Sequence, residues 1–482
     1  CGPGVAFRSS ETDNMKRIAF HTLGCKLNQY ETDSIASQFR RAGYTIVPFQ
    51  EAADCYVINS CTVTNKADRK SRNAMNRAIR QAGERLYEPV RSSGRVSPTP
   101  EVAGEGEAVA VATCGGIEES IVVMTGCFVD SGRDSLEESR ATYLVDNKRK
   151  SQIFSIVDSH FRGEMVDPEA LDPAIFRFDT PERLFHTRTT LKVQDGCDNF
   201  CTFCIIPFVR GRASSRPVEE ILGQAREAIR GGSKELVLTG VNMSRYYQEG
   251  LDFAGLVSRI LEIPGDFRLR ISSLEPDSLD ERFVELFSHP KMAPHLHLCL
   301  QSGSDRILLQ MRRMYTVSGY REIAERIRSR YPDFNLTTDI IVGFPGEEQD
   351  EFEATLKMAE ELEFSHIHTF PYSRRRGTRA ERMGGQVSEQ EKQARSEAIR
   401  ILSERTKRRY RSRFVGKEQR MLVERLTTED GLLVARGLGE HYLPIRLEGP
   451  NLEQRELSPN CFVQVRLLAL EEGDDPELIA EP

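Results

Sequence analysis

Hydrophobic and polar positions alternate with two different periods along the chain. From Lys16 onward, apolar strand-like runs such as RIAFHTLGC and DCYVINSC each precede an amphipathic helical stretch. This order is typical of a parallel sheet covered by helices, and it predicts a first domain over residues 16–165. Residues from about 84 to 119 interrupt the pattern with Pro, Ser, Gly and Glu, so we expect an inserted loop there.

The rest of the chain predicts two further domains. Residues 183–410 repeat strand and helix in six units, which predicts a partial (βα)6 barrel that stays open because it stops short of eight units. Short alternating runs with Gly turns then predict a small antiparallel β-barrel over residues 411–470, and the acidic residues 471–482 are expected to be a disordered tail. The predicted fold class is α/β, with an open parallel sheet, a partial barrel and a small β-barrel.

The composition of the chain indicates the cellular compartment in which the protein works. Hydrophobic residues make up 39% and charged residues 29% of the chain, and the longest apolar run, SIVVMTGCFV, has the length of a strand. We therefore expect no membrane span and a cytoplasmic location. Eleven cysteines, an odd number, favour metal binding in a reducing compartment over a disulfide framework. Residues 1–14 precede Met15 and are expected to be an extension on which no function rests.

Three cysteines lie within eight positions of the central region. The stretch DGCDNFCTFC places three residues between Cys197 and Cys201 and two between Cys201 and Cys204. A closed structural zinc site needs four ligands, whereas one iron of a cubane cluster can remain open to a small molecule. Disulfides or neighbouring buried thiols are the alternative, although a loop with Gly, Asn and Asp is not typical of a core. The triplet therefore favours an iron–sulfur cluster.

A second set of cysteines follows the strands of the first domain. Cys25, Cys61 and Cys127 each lie just after the carboxyl end of a predicted strand, and such ends line one crevice in a parallel sheet. The three thiols suggest a second cluster, although unrelated cysteines at strand ends remain an alternative. Cys55 begins its strand and Cys114 lies in the insertion, so we interpret both as non-ligands.

These motifs together resemble the radical S-adenosylmethionine methylthiotransferases. CTFCIIPFVRGRASSRP, TLGCKLNQYETD, VINSCTVTNKAD, MTGC, LHLCLQSGSDRILLQMRRMYT and TDIIVGFPGE follow in the family's order, from about Met15 to Leu468. The last segment resembles the RNA-binding TRAM barrel. TLGCKLNQYE and DGCDNFCTFCIIPFVRGR are most similar to the branch that modifies threonylcarbamoyladenosine in tRNA. The long connection between Cys61 and Cys127 departs from the family, in which it is short.

The resemblance implies two [4Fe-4S] clusters and S-adenosylmethionine as cofactors. Cys197, Cys201 and Cys204 would hold the cluster that binds S-adenosylmethionine and generates a 5′-deoxyadenosyl radical, and Cys25, Cys61 and Cys127 would hold an auxiliary cluster that carries the sulfur. The implied reaction is methylthiolation of an adenine C2, which has no useful acidity, so no acid–base pair is expected. The small polar residues at strand ends are candidate contacts for S-adenosylmethionine: Thr239, Gly240, Ser272, Ser273, Gln301, Ser302 and Gly303. His295 and His297 are interpreted as a packed or substrate-facing pair.

The implied partners are the anticodon loop of tRNA, a reducing electron donor and a sulfur donor. The formal net charge of -7 argues against general nucleic-acid binding, so we expect local basic runs to hold phosphates. The first candidate is Lys407, Arg408, Arg409 and Arg411, and the second is SRRRGTR at 373–379. Alternatives are methylthiolation of isopentenyladenosine in tRNA or of a ribosomal protein, and, in another class, a non-catalytic iron–sulfur RNA-binding or sensor protein.

Overall fold

The computed structural model describes residues 15–84, 120–136, 139–449, 452, 455–473 and 475–482. Cys114, the extension at 1–14 and, beyond residue 84, the predicted insertion therefore lie outside the described residues. The described chain forms three successive units, which are a parallel sheet with helices, a second set of parallel strands with helices, and a closed β-barrel. The predicted α/β fold class is confirmed.

The first unit is a five-stranded parallel sheet between two layers of helices. Its strands are β1 (Arg17–Thr22), β2 (Thr45–Val47), β3 (Cys55–Ser60), β4 (Ile121–Gly126) and β5 (Tyr143–Val145). Its helices are α1 (Lys26–Arg41), α2 (Asn65–Glu84), α3 (Cys127–Leu136) and α4 (Ile153–Phe161). The strand order is β2-β1-β3-β4-β5, and all neighbours are parallel.

Alternating side chains bury both faces of this sheet. Ile18 and Val57 face a core that includes residues of α1 and α4, whereas Ala19 and Ile58 face a core with residues of α2 and α3. The strand order reverses between β1 and β3, and open α/β sheets bind ligands in the crevice that such a reversal creates at the carboxyl ends of the strands. The fold therefore provides a crevice where β1 and β3 end.

The second unit contains all six strands that the sequence predicts, β6 (Thr189–Lys192), β9 (Glu235–Thr239), β12 (Arg268–Ile271), β13 (His295–His297), β14 (Asn335–Val342) and β15 (His366–Pro371). Short pairs lie between them, namely β7 (Gln194–Asp195) with β8 (Ser214–Ser215), and β10 (Tyr247–Gln248) with β11 (Leu251–Asp252). Its helices are α5 (Ile206–Val209), α6 (Val218–Arg230), α7 (Phe253–Leu261), α8 (Glu281–Glu285), α9 (Asp305–Gln310), α10 (Val317–Arg330), α11 (Gln349–Glu361) and α12 (Glu389–Ser412).

The six main strands of this unit follow one another in chain order and run parallel. β6, β9 and β12 form one sheet and β13, β14 and β15 another, and isolated parallel bridges join Leu269 of β12 to Met292 before β13, and Leu274 after β12 to Leu298 after β13. Among the described residues the sheet stays open between β6 and β15. Helix α12 packs along the β15 edge, where the backbone N–H of Ile367 donates to Ser403 Oγ at 2.9 Å.

The third unit is a closed barrel of five strands, β16 (Glu418–Glu429), β17 (Leu432–Leu438), β18 (Pro444–Leu447), β19 (Phe462–Leu470) and β20 (Leu478–Glu481). The predicted small barrel is present, but β18 and β20 pair in parallel, so it is not antiparallel throughout. The expectation of a disordered tail at 471–482 is wrong for β20, which closes the barrel. Leu478 and Ala480 alternate into the core and are fully buried, a short period-two signal that the acidic composition obscured.

Candidate active site

The sheet register of the first unit brings the second set of cysteines together. β3 and β4 pair Ser60 with Gly126, so Cys61 and Cys127, the next residues, leave neighbouring strand ends side by side. Cys25 follows β1, which pairs with β3 on the other side. The three thiols therefore lie at the carboxyl edge of three adjacent strands, where the sequence places them.

Two glycines allow these thiols to approach one another. Gly24, before Cys25, has φ +102°, and a Cβ there would lie 2.9 Å from Cys61 Cβ. Gly126, before Cys127, has φ +98°, and a Cβ there would lie 2.4 Å from the carbonyl oxygen of Ser60. Only glycine tolerates both the positive φ and the close contact. The backbone is thus shaped for three thiols at one place.

Polar groups surround this second triplet. Asn147 donates from Nδ2 to Cys127 Sγ at 3.6 Å and to the carbonyl oxygen of Val209 at 3.3 Å. Burial raises the pKa of the Cys61 thiol to about 11, and it raises the pKa of Cys127 although the Arg210 guanidinium opposes the shift. Metal binding deprotonates thiols, and N–H donors and a nearby cation suit the thiolates of a cluster. These residues fit such a group.

The first triplet lies on a loop closed by the β7–β8 pair. Asn242 donates from Nδ2 to Cys197 Sγ at 3.5 Å, and Arg313 donates from Nη1 to Cys201 Sγ at 3.3 Å. Burial and the neighbouring Cys201 raise the pKa of the Cys204 thiol to about 12. This triplet also has N–H donors and a cation beside its sulfurs, so it fits an anionic cluster in the same way.

The two triplets lie on either side of one small apolar cluster. Cys127 packs against Ile205 and Val209, and Ile205 directly follows Cys204 in the chain. The hydrogen bond from Asn147 to Val209 connects the same two segments. The second unit therefore presents its cysteine loop to the cysteine edge of the first unit.

A buried ionic network fixes this arrangement. Glu31 of α1 is fully buried and pairs with Lys150 at 2.6 Å, Lys192 at 3.0 Å and Arg210 at 3.1 Å. Lys192 and Arg210 also pair with Asp195, at 2.6 and 3.0 Å. Burial alone would raise the pKa of Glu31, but the three cations hold it well below its usual value. The network joins α1, which follows Cys25, to the segments that flank the first triplet.

We expect Glu31→Gln to lower the free energy of unfolding by about 3–5 kcal/mol, because it removes the carboxylate partner of Lys150 and leaves Lys192 and Arg210 with Asp195 alone. Urea unfolding monitored by circular dichroism measures this change. Glu164→Gln is the matched control, since the Glu164 side chain is 65% exposed and its pair with Arg162 spans 3.9 Å. A loss below about 1 kcal/mol for Glu31→Gln would contradict the structural role of the network.

The folded pKa of Glu31 is lower than that of an unpaired glutamate. The stability that ionised Glu31 contributes is therefore fully present at neutral pH and is lost as the solution is acidified.

A cavity of about 660 Å³ lies where the three units meet. Cys25 and Lys26 line it from the first unit, Asp339 and His368 from the strands of the second, and Tyr442 from the β-barrel. Its volume is in the range of small-molecule sites. A ligand bound there would lie beside Cys25 of the second triplet and inside the open strand array.

Two sequence families and several known proteins are similar to this chain. The radical SAM superfamily matches residues 191–359, and the uncharacterized protein family UPF0004 matches residues 17–89. The chain is 36% identical to the threonylcarbamoyladenosine tRNA methylthiotransferase MtaB of Bacillus subtilis, over 90% of this chain and 91% of that protein. It is 33% identical to MtaB of Thermotoga maritima, over 95% and 96% of the two chains. The chain belongs to the radical SAM methylthiotransferase family.

Other similarities agree with this assignment. The chain is 32% identical to the tRNA-2-methylthio-N(6)-dimethylallyladenosine synthase of Geobacter sulfurreducens, over 88% of this chain and 90% of that one. The fold resembles that of the radical S-adenosylmethionine methyltransferase TsrM of Kitasatospora setae, with a TM-score of 0.53 and 11% identity, covering 76% and 77% of the two chains. As a radical SAM methylthiotransferase, the protein is an enzyme that uses a [4Fe-4S] cluster and S-adenosylmethionine.

The predicted S-adenosylmethionine contacts of this methylthiotransferase fall into two groups. Four of them line the large cavity, namely Thr239, Gly240, Ser272 and Ser273. Gln301 lines a neighbouring cavity of about 230 Å³ that also reaches Cys204, and both cavities include Asp339. These five residues are placed where a cofactor could extend between the first triplet and the large cavity, and their role stays a prediction.

Ser302 and Gly303 instead contact α11. The backbone N–H of Gly303 donates to Thr355 Oγ1 at 2.9 Å, and a Cβ on Gly303 would lie 2.6 Å from Thr355 Cα. Ser302 is fully buried and its hydroxyl lies 3.4 Å from the same Thr355 oxygen. The structure therefore gives these two residues a packing role at the turn after β13.

The two histidines of β13 both face the large cavity, together with residues that the sequence analysis missed. His297 contacts Asp339 at 3.2 Å and Thr337 Oγ1 at 3.0 Å, and His295 packs against Tyr442 with ring centroids 4.8 Å apart. Asp339 and Thr337 are separated by one residue on β14, so period-two spacing was a signal for them. The sequence also offered a signal for Lys26, because this residue directly follows Cys25, a predicted cluster ligand.

The basic run of α12 is less open than the sequence suggested. Lys407 pairs with Asp475 at 3.3 Å, Arg411 pairs with the same carboxylate at 2.8 Å, and both face the cavity. Arg409 is exposed but pairs with Glu363 at 2.8 Å. The expectation that Lys407 and Arg411 are available to phosphate is wrong, because they attach the helix to the end of the β-barrel.

Among the helices of the described residues, none has the length and apolar character that a membrane span requires.

Proposed function

We propose that this enzyme transfers a methylthio group to C2 of N6-threonylcarbamoyladenosine in the anticodon loop of tRNA, in the cytoplasm. The observation that carries the proposal is the pair of cysteine triplets on facing segments, with Cys25 lining the large cavity and Cys204 lining the smaller one next to it. Three thiols leave one iron of each cluster open, so the arrangement suits two clusters with two tasks. The similarity to the MtaB relatives, which are named for threonylcarbamoyladenosine tRNA, supports this choice of substrate.

The first triplet is proposed to hold the cluster that binds S-adenosylmethionine. Cys197, Cys201 and Cys204 would be its ligands, and Asn242 and Arg313 would donate to their sulfurs. When bound, this cluster and S-adenosylmethionine would supply radical chemistry, with the electron coming from an external donor. Thr239, Ser272 and their neighbours along the cavity would bind and orient the cofactor.

The second triplet is proposed to hold the auxiliary cluster, to which a sulfur donor delivers sulfur. Cys25 lines the cavity, so a group held by Cys25, Cys61 and Cys127 would face the substrate adenine. Cys61, Cys127 and His295 are buried, whereas Cys25 is exposed where it lines the cavity. The protein residues therefore bind and orient, and the proposal assigns none of them as a catalytic acid or base.

Two arginines after β15 are proposed to bind tRNA phosphates. Arg376 and Arg379 are exposed residues in the run that begins at Ser373, and Ser373 lines the smaller cavity together with Cys204. They therefore lie close to the entrance of the site. RNA held there would bring its anticodon loop to the cavity, because phosphate contacts position nucleic acid without reading its sequence.

Replacing Arg376 and Arg379 with Gln is expected to weaken tRNA binding and to reduce the slope of log affinity against log salt by about one to two units. Fluorescence anisotropy with labelled tRNA at several salt concentrations measures both effects. Arg400→Gln is the matched control, since Arg400 is exposed on α12 and pairs with Glu397 at 2.6 Å. An unchanged salt slope in the double variant would place the phosphate contacts elsewhere.

A second candidate substrate is dimethylallyladenosine in tRNA. It is favoured by the similarity of the chain to the Geobacter sulfurreducens synthase, since 32% identity is close to the 36% found for MtaB of Bacillus subtilis. The two substrates differ in the group on N6, which is apolar in one and carries a carboxylate in the other. Their modified products also differ in mass.

Nucleoside mass spectrometry tests the proposal in cells. In tRNA from a strain that lacks this gene, we expect the 2-methylthio derivative of threonylcarbamoyladenosine to be absent. Threonylcarbamoyladenosine without the methylthio group should accumulate instead. Complementation with the intact gene should restore the derivative. Loss of the 2-methylthio derivative of dimethylallyladenosine instead would favour the second candidate, and an unchanged profile would contradict both.

A further inference from the structure

The charged side chains that line the large cavity are mostly paired with one another. Asp339 is paired with His297 at 3.2 Å, and Asp475 is paired with Lys407 at 3.3 Å and Arg411 at 2.8 Å. Each carboxylate of the lining thus has a cationic or titratable partner. These pairs leave no carboxylate of the described lining free to bind another cation.

Lys26 differs from these residues. It lines the cavity, and it makes no hydrogen bond or ion pair with any of the described residues; its Nζ lies 5.6 Å from the centroid of the Tyr442 ring. Glu235, a buried carboxylate on β9, is engaged by Arg270 at 2.7 Å. The ammonium group of Lys26 therefore faces the cavity without a counter-ion among the described residues.

Unsatisfied polar atoms accompany this ammonium group. His295 is 3% exposed and lines the same cavity, and its Nδ1 has no hydrogen-bond partner. His366, on β15, also lines the cavity and has a buried Nδ1 without a partner. His295 packs against the same Tyr442 ring that lies beside Lys26. A buried polar atom without a partner is costly, so these atoms point to a polar ligand in the cavity.

We infer that Lys26, together with His295, binds the carboxylate on the N6 substituent of the substrate adenosine. This inference rests on the proposed function, in which that substituent is threonylcarbamoyl. The group carries one carboxylate and one hydroxyl, which suit a cation and neighbouring ring nitrogens. A dimethylallyl group is apolar and would leave the ammonium group buried and unpaired, so Lys26 would favour the first substrate and disfavour the second.

The position of Lys26 would bring the N6 substituent of the substrate close to the proposed auxiliary cluster. Lys26 follows Cys25 directly, so the residue that would bind the substituent and a proposed auxiliary-cluster ligand lie on the same wall. S-adenosylmethionine also carries a carboxylate, but Lys26 lies beside Cys25 of the second triplet, whereas the triplet proposed to bind S-adenosylmethionine is on the loop between β7 and β8. We therefore assign Lys26 to the RNA substrate, and this makes it a residue that determines specificity.

The test compares two RNA substrates and three proteins. The substrates are anticodon stem-loops that carry threonylcarbamoyladenosine either as the free acid or as its methyl ester. The proteins are the reconstituted wild type, Lys26→Met and Lys26→Arg. The wild type should prefer the acid by about 10- to 100-fold in kcat/KM, as expected for a charge-assisted hydrogen bond. Lys26→Met should lose this preference by reacting more slowly with the acid, and Lys26→Arg should retain most of it.

Three readouts separate this role from others. Bound iron and S-adenosylmethionine cleavage without RNA should be unchanged in Lys26→Met, and Lys66→Met, on the exposed surface of α2, should behave as wild type throughout. Equal rates of the wild type on acid and ester would overturn the inference, whatever the variants do. A raised KM for S-adenosylmethionine in RNA-free cleavage by Lys26→Met, with the preference for the acid retained, would overturn it by assigning Lys26 to the cofactor. If the wild type forms no methylthio product from either stem-loop, the proposed function itself fails.

Discussion

Replacing Cys197, Cys201 and Cys204 together with Ala is expected to abolish both tRNA methylthiolation and reductive cleavage of S-adenosylmethionine, while about half of the bound iron remains. The wild type should hold close to eight irons after anaerobic reconstitution, as two separate [4Fe-4S] clusters require. Half should survive because Cys25, Cys61 and Cys127 lie on other elements and have their own hydrogen-bond donor, Asn147. Iron analysis and chromatographic detection of 5′-deoxyadenosine measure the two effects.

Cys461→Ser is the matched control for thiol loss. Cys461 is a free, partly buried cysteine of the C-terminal barrel, far in sequence from both triplets. This variant should keep all of the iron and both activities. Complete loss of iron from the triple variant would contradict two independent clusters, and retention of all iron would show that the triplet holds none.

The second large effect is expected for Cys127→Ala, which should abolish methylthiolation but keep S-adenosylmethionine cleavage. Cys127 is buried at the end of β4, and its removal leaves the second triplet with two thiols. About half of the iron should be lost, because the remaining two thiols no longer hold a stable cluster. RNA-free cleavage should continue, since the first triplet lies on a loop with its own donors.

Cys114→Ala provides the contrast for this prediction. Cys114 lies in the insertion, outside the described residues, and the sequence analysis interprets it as a non-ligand. The variant should retain the iron and the activity of the wild type. If Cys114→Ala lost the auxiliary cluster and Cys127→Ala kept it, the insertion would supply the third ligand. If Cys127→Ala lost both cluster spectra, the two sites would be structurally dependent on each other.

Local patterns were enough to predict much of the fold. The strand before each cysteine of the second triplet shows in the sequence as a short apolar run, and parallel pairing then brings the strand ends together. The six strands of the second unit were visible for the same reason. Strand β20 was missed because its signal spans four residues, Leu478–Glu481, inside an acidic segment.

Long-range partners could not be predicted from local patterns. Glu31 and Arg210 are 179 residues apart, and only the fold shows that they pair in a buried network. Lys407 and Arg411 were predicted to be free for phosphate because a run of basic residues contains no information about Asp475, which lies more than sixty residues later. For Lys26 the fold shows the opposite, because it leaves this basic residue unpaired in the part of the chain that the structure describes. The neighbours of Lys26 in the sequence do not indicate that it faces a cavity without a counter-ion among the described residues.

The most direct test of the central claim is mass spectrometry of the nucleosides formed by the purified enzyme. Anaerobically reconstituted protein would be incubated with S-adenosylmethionine, a chemical reductant, sulfide and tRNA that carries threonylcarbamoyladenosine. We predict the 2-methylthio derivative of that nucleoside as the product, and its absence when S-adenosylmethionine or the reductant is omitted. Cleavage of S-adenosylmethionine without any sulfur incorporation into this nucleoside would contradict the proposed function.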